Sequence, residues 1–207
     1  MFNPHDRSQF LNFAGLVEGS LALLALGLGW LVSINPVDND VTKLTWDARA
    51  IGCGLLGALP LFLLFVLVYR FPVGPFLRIQ DFLATELAPS LANLKWFDLI
   101  LMALLAGVAE ELLFRGLLEP WIGRLWSNVI FGMAHLVTPT YGLLTFVVGF
   151  YLSWLMTVTT PTVPANLPHN LLIPIVTHAV HDYLAFLVIV SLHRRQSPPT
   201  EVEEFGD

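Results

Sequence analysis

The stretch Leu101-Met-Ala-Leu-Leu-Ala-Gly-Val-Ala-Glu-Glu-Leu-Leu-Phe-Arg115 decides how this chain is read. It is apolar enough to run through a bilayer, yet it holds two adjacent carboxylates, Glu110 and Glu111, and the guanidinium of Arg115. Ionisable groups at membrane depth are costly, and a chain that carries them generally uses them. Later apolar segments add polar company. His135 closes Phe131-Gly-Met-Ala-His135, and His178 and Asp182 bound His178-Ala-Val-His-Asp182. The set points to an enzyme working inside a membrane.

Composition supports the bilayer. Hydrophobic residues make up 56% of the 207, charged residues 13%, and mean hydropathy is +0.70. A soluble domain carries about 25% charged residues, so this chain lacks the polar surface to face water all round. Its length suits one membrane domain with no sizeable soluble one. The formal charge of −6 owes much to the end Glu201-Val-Glu-Glu-Phe-Gly-Asp207, read as a solvated tail. The ten Lys and Arg form no basic stripe, which argues against nucleic acid as a partner. A single Cys53 excludes an internal disulfide and any multi-cysteine metal cluster.

Outward from the deciding stretch, the hydropathy pattern predicts an all-α, multi-pass helical bundle of about six spans. They are Phe10 to Ile34, Ala48 to Tyr69 (with Pro60 inside), Trp96 to Leu118, a short Arg124 to Val137, Tyr141 to Thr159, and Leu171 to Leu192. Thr138-Pro139 is expected to end the short fourth helix. Asn35 to Asp47 reads as a polar loop, and Pro161, Pro164 and Pro168 mark another. Phe10 to Ile34 lacks a basic n-region and a cleavage site, so it reads as a retained helix. Pro72 to Leu94 is interrupted by Arg78, Asp81 and Glu86 and reads as an amphipathic helix at the interface. The layout is therefore 1–95 for two spans and the interfacial helix, 96–192 for the core that carries the motifs, and 193–207 for the tail.

Depth ties the polar residues together. The membrane face reached at Glu119 to Arg124 is called face B, the opposite one face A. At 1.5 Å per residue, Glu110 lies roughly 13 Å below face B counted from Glu119, and His135 roughly 16 Å below it counted from Arg124. Counted from Pro168, His178 lies roughly 15 Å down. Three distant motifs reach one depth, as a shared site requires.

Spacing suggests roles. Glu111 and Arg115, Phe131 and His135, and His178 and Asp182 are i,i+4 pairs, each stacked on one helix face. Glu111 and Arg115 can pair as a structural support, which leaves Glu110 about 100° round the helix and facing a cavity. A buried carboxylate there suits a general base for water, with His135 sharing that water or its proton. His178 and Asp182 suit an oxyanion site, or these groups hold a divalent metal, such as zinc, that activates the water. Blander readings stand beside these: His135 bonded to a neighbouring helix, Asp182 merely orienting His178, and His181 an interfacial residue. Glu18 is also intramembrane and reads as a polar contact between helices. Gly52-Cys-Gly-Leu-Leu-Gly57 matches GxGxxG, but no strand precedes it, and close helix packing explains it better. His-x-x-His at 178–181 has no second histidine box, HExxH is absent, and neither Ser20 nor Ser153 is paired with a His.

The ordered trio Glu110-Glu111-x-x-x-Arg115, Phe131-x-x-x-His135 and His178-x-x-x-Asp182 resembles the motifs of the CPBP family. These are intramembrane proteases related to the type II CAAX prenyl endopeptidase and to bacteriocin-processing or immunity proteins. The resemblance covers about residues 96 to 192. It implies an all-helical bundle with Glu110 activating water, His135 assisting, and His178 with its partner stabilising the oxyanion. Glu111 and Arg115 would support them. In the family the third motif often ends in Asn, where this chain has Asp182. The resemblance leaves open a glutamate mechanism and a metal-dependent one, in the latter case with His135, His178 and Asp182 as ligands. It implies a protein or peptide substrate, and many relatives occur in prokaryotes, which suggests a prokaryotic cytoplasmic membrane.

Six spans put both termini on face A with Arg7, Arg70, Arg78, Lys95, Arg194 and Arg195, against Lys43, Arg49 and Arg124 on face B. The positive-inside rule then makes face A cytoplasmic, which sets the site nearer the outer face. Were Pro72 to Leu94 a span, the first two helices would invert relative to the rest, so topology stays open at this point. The expected function is an intramembrane endopeptidase that cleaves a peptide or membrane-associated protein through water at Glu110. The rivals are a non-catalytic immunity or scaffold protein and a proton- or metal-coupled transporter, although no inverted repeat or broken helix supports the last.

Overall fold

Asp6 starts the first helix by accepting the Gln9 backbone N–H at 2.9 Å, which satisfies one of the donors left open at a helix start. From there α1 runs over Arg7–Val32 and stops where Ser33 turns left-handed (φ 59°). The chain folds back tightly at that point. A Cβ on Gly29 would lie 2.5 Å from the Ile34 carbonyl oxygen. The computed structural model describes residues 3–157 and 168–196. The acidic end of the expected tail, most of the expected proline loop and the last residues of the expected fifth span lie outside them.

The remaining elements are β1 (Thr42–Lys43), α2 (Ala48–Arg70), α3 (Phe76–Phe82), a π turn (Leu83–Leu87), α4 (Ala88–Ala92), α5 (Trp96–Glu111) and a second π turn (Leu112–Leu118). Then follow α6 (Glu119–Ile122), α7 (Arg124–Ala134), α8 (Pro139–Met156), β2 (His169–Asn170) and α9 (Leu172–Gln196). The chain is thus an all-α bundle of membrane helices. The two-residue strands pair in parallel, Thr42 with His169 and Lys43 with Asn170, and tie the loop after α1 to the start of α9.

Among the described residues, four helices are long and apolar enough to cross a membrane: Arg7–Val32, Ala48–Arg70, Pro139–Met156 and Leu172–Arg195. The expected third span is a helical run from Trp96 to Ile122 in which the π turn separates α5 from α6. The expected fourth span is corrected. At 11 residues, α7 is about 16 Å long and falls short of a hydrocarbon core of about 30 Å. Thr138-Pro139 does not end it, either. The helix stops at Ala134, and Thr138 caps α8 by accepting the Tyr141 backbone N–H at 3.1 Å, with Pro139 in the first turn, where its missing N–H costs nothing. The predicted amphipathic segment is the helical run α3 to α4, which buries Ile79, Leu83, Ala88 and Leu91 in one cluster with Ile189 and Val190 of α9.

Small residues set the spacing around α9. A Cβ on Gly54 would meet Val176 Cβ at 2.6 Å and the Ile173 carbonyl oxygen at 2.9 Å, and a Cβ on Gly57 would strike Leu155. Gly54 and Gly57 therefore form a packing face, as expected of this stretch, whereas a Cβ on Gly52 would meet nothing within 4 Å. On the other side of α9, a Cβ on Gly107 would lie 3.0 Å from Ala179 Cβ, Ala179 N and the Ile175 carbonyl oxygen. α5 and α9 consequently approach backbone to backbone one turn before Glu110 and Glu111. The two ends of the bundle separate clearly. Arg7 pairs with Asp98, and Arg194 donates to the Ala92 carbonyl, at face A. Arg124 pairs with Glu119 at face B.

Candidate active site

Each polar side chain of the site is placed by its own helix. Glu110 and Glu111 end α5, and the π turn that follows buries six consecutive residues, Leu113 to Leu118. Such widened turns often occur at functional sites, because they redirect side chains without breaking the helix. Here Arg115 is carried into the bundle with no exposed surface. Its Nη1 donates to Glu111 Oε1 at 3.0 Å, and its Nη2 donates to Asn128 Oδ1 at 3.2 Å and the Gly149 carbonyl at 3.0 Å. The guanidinium also lies 4.5 Å from the Phe131 ring centroid, within cation–π range.

Glu110 points the other way, into a cavity of about 210 Å³. Its Oε2 is buried and makes no hydrogen bond. Two imidazoles face that oxygen: His135 Nε2 at 3.6 Å and His178 Nε2 at 3.9 Å. Both separations are too long for a direct bond. His135 is the residue that ends α7, and its Nδ1–H donates to the Phe131 carbonyl at 2.8 Å, which turns Nε2 toward Glu110. His178 Nδ1–H donates to Glu111 Oε1 at 2.8 Å, which turns its Nε2 toward Glu110 and toward Asp182 Oδ2 at 3.5 Å. The structure thus gathers Glu110, His135, His178 and Asp182 at one end of the cavity and lays Glu111–Arg115 behind them.

Several features were not legible from the motifs. The shorter partner of His178 is Glu111, from another helix, rather than Asp182 one turn along. Phe131 packs on Phe114 (4.9 Å between centroids), His135 (4.6 Å) and the Arg115 guanidinium, so it walls the polar cluster from below. Tyr141 also lines the cavity, its ring 6.4 Å from that of His135. His181 is not interfacial. It lines the cavity beside Asp182 and meets Phe65 edge-on at 6.3 Å. The buried Oε2 of Glu18 has no hydrogen-bond partner. Ser153 and Ser20 bond Glu119 and the Leu16 carbonyl.

The rest of the cavity is apolar. Leu61, Leu64 and Phe65 of α2 face Leu144, Val148 and Leu152 of α8 across it. Near face B these helices meet, where the Tyr151 hydroxyl donates to the Gly57 carbonyl at 2.9 Å. Toward face A they part, and Tyr69 and Gln80 line the space between them. Zinc would require three or four ligands at about 2.0–2.2 Å from one point. Among the described residues, no group of three or more His, Cys, Asp or Glu is arranged to hold a metal ion. His135, His178 and Asp182 do not form such a ligand set as they stand.

A buried carboxylate beside two imidazole nitrogens, open to an apolar cleft, can activate water and bind an oxyanion. Residues 92–184 match the family model described as type II CAAX prenyl endopeptidase Rce1-like. No curated protein and no solved structure matches the chain. The matched segment contains all three motifs, from Glu110 to Asp182, so the helices that hold the polar cluster are similar to a type II CAAX prenyl endopeptidase Rce1-like domain.

Proposed function

We propose that this protein is an intramembrane endopeptidase in which Glu110 activates water for attack on a peptide bond. The observation that carries this reading is the unbonded Oε2 of Glu110 facing two imidazole Nε2 atoms at 3.6 and 3.9 Å. A water oxygen fits about 2.8 Å from both Glu110 and His135 across such a gap. Because His135 commits Nδ1–H to Phe131, its Nε2 can accept one hydrogen of that water while Glu110 takes the other.

As the proton moves to Glu110, the water oxygen bonds to the scissile carbonyl carbon and negative charge develops on the carbonyl oxygen. His178, protonated on both ring nitrogens between the Glu111 and Asp182 carboxylates and aimed by the Nδ1 bond to Glu111, donates its Nε2–H to that oxygen. Asp182 holds the same nitrogen in the resting site. Collapse of the tetrahedral intermediate breaks the C–N bond, and Glu110 returns its proton to the departing amine. The products are a carboxylic acid and an amine, with one water consumed.

The cleft suggests how a substrate arrives. Its apolar walls between α2 and α8 suit a membrane-associated peptide or protein segment, and its lining reaches Tyr69 and Gln80 toward face A. Face A carries most of the cations and is the cytoplasmic side by the positive-inside rule. A site nearer face B is then reached from the cytoplasm, in keeping with residence in a prokaryotic cytoplasmic membrane.

The test is cleavage of a proteome-derived peptide library by the purified protein in detergent, with Glu110→Gln and His135→Ala beside the wild type. Both variants should fold and fail to cleave. A chelator arm separates the chemistries: cleavage that survives supports water activation by Glu110 alone, and loss restored by zinc would show that a metal takes part. Glu110→Gln that keeps its cleavage activity would overturn the reading.

A further inference from the structure

The site does not end at Arg115. Arg124 Nε donates to Glu119 Oε1 at 2.9 Å, Ser153 Oγ–H donates to Glu119 Oε2 at 2.7 Å, and Asn128 Nδ2 donates to Ser153 Oγ at 3.1 Å. Asn128 Oδ1 then accepts from Arg115, which donates to Glu111, which accepts from His178. This unbroken chain of hydrogen bonds passes through α6, α8, α7, the π turn, α5 and α9. Arg124 is half-exposed at face B, whereas Ser153, Asn128, Arg115 and Glu111 expose nothing.

Such a chain is an expensive way to hold helices together, since apolar side chains of the same volume would pack there without desolvating charge. Each link joins a donor to an acceptor, although Glu111 Oε2 and Arg115 Nε are buried without a partner, and the backbone is shaped to admit the chain. A Cβ on Gly149 would strike Asn128 Oδ1, and the Gly149 carbonyl takes the second bond of Arg115 Nη2. Arg115 is thereby held at two nitrogens, which leaves Glu111 one orientation in which Oε1 meets both Arg115 and His178.

We propose that Glu119, Ser153 and Asn128 are positioning residues for the reaction: through Arg115 and Glu111 they fix the ring of His178 so that Nε2 faces the Glu110 cavity. This rests on the reading of His178 as the oxyanion donor, so the test uses one measurement that needs no turnover. In the full chain in detergent micelles, the His178 Nδ1–H proton, bonded to a carboxylate, is observed by 1H NMR with 15N-labelled histidine and assigned by its loss in His178→Ala.

Ser153→Ala removes one buried oxygen and should fold, as judged by helical circular dichroism and gel filtration. We expect the ring-proton resonance to shift or broaden in Ser153→Ala, Asn128→Ala and Glu119→Gln. On peptide substrate, kcat should fall about tenfold with KM within twofold. Ser153→Thr, which keeps the hydroxyl, should restore both. If Asn128→Ala fails to fold, Ser153→Ala and Glu119→Gln carry the test. An unmoved resonance and unmoved kcat in folded Ser153→Ala and Glu119→Gln would overturn the proposal. Absence of cleavage by the wild type would count against the protease reading alone, because the resonance still decides the positioning role.

Discussion

His178 Nδ1 and Glu111 Oε1 lie 2.8 Å apart and join α9 to α5 in the interior of the bundle. That bond depends on how closely the two helices approach, and Gly107 sets the approach. Gly107→Ala would press a methyl against the backbone of Ala179 and Ile175, which cannot yield as a side-chain tip does. Overpacking of this kind costs about 1–3 kcal/mol. We expect a lower melting temperature in detergent and a large loss of cleavage, because His178 is displaced from Glu111. Gly52→Ala, which meets nothing within 4 Å, should leave both unchanged.

The Glu111–Arg115 pair is fully buried, and its two partners are not equivalent to neutral packing. Removing one charge leaves the other stranded, at a cost of about 3–5 kcal/mol, whereas replacing both with apolar side chains is often nearly neutral. Glu111→Gln should therefore unfold at markedly lower temperature than the wild type. Glu111→Met combined with Arg115→Met should recover much of that stability while remaining inactive. Thermal unfolding and cleavage, measured on the same samples, check the two halves separately. Equal stability of the single and double variants would refute the argument.

The sequence made the common depth of Glu110, His135 and His178 legible because helices advance 1.5 Å per residue whatever surrounds them. It also made the Glu111–Arg115 pair legible, since i,i+4 neighbours meet on any helix. Contacts between helices obey no such spacing. Nothing in the order of residues says that Glu111 reaches His178, or that Asn128 lies between Arg115 and Ser153. Gly107 and Gly149 were the available signals, as small residues in apolar helices mark close approach. The short α7 was misjudged because His135, Leu136 and Val137 continue its apolar run. The backbone leaves the helix at His135 to aim the imidazole, which hydropathy does not register.

Far from the site, Arg7 grips Asp98 with two bonds, Nε at 2.7 Å and Nη2 at 2.6 Å, and pins the start of α1 to the start of α5. Asp98 is 2% exposed and also accepts the Lys95 backbone N–H. Arg7→Ala should lower the melting temperature, since it leaves the Asp98 carboxylate short of its charged donor. Arg7→Lys keeps the charge but lacks the fork and should fall between. Cleavage at low temperature should be unaffected in both, because no group of the Glu110 cluster leans on this pair. A fall in kcat without a fall in melting temperature would contradict that separation.

The cleft between α2 and α8 offers a test of selectivity that spares the chemistry. Val148 faces Leu61 and Leu64 across a cavity of about 210 Å³ and makes no contact with the polar cluster that any hydrogen bond records. Val148→Phe fills part of that space from the α8 side. Apolar cavities discriminate by about 1–3 kcal/mol per methylene group gained or lost, which is roughly 10–200-fold in kcat/KM. Peptides with bulky side chains next to the cleaved bond should therefore lose at least about tenfold in kcat/KM, while those with Gly or Ala there should be cleaved as before. The comparison is internal to one variant, so a general loss of folding cannot imitate it. Unchanged cleavage of bulky and small peptides alike by the folded variant would show that substrates do not enter between α2 and α8.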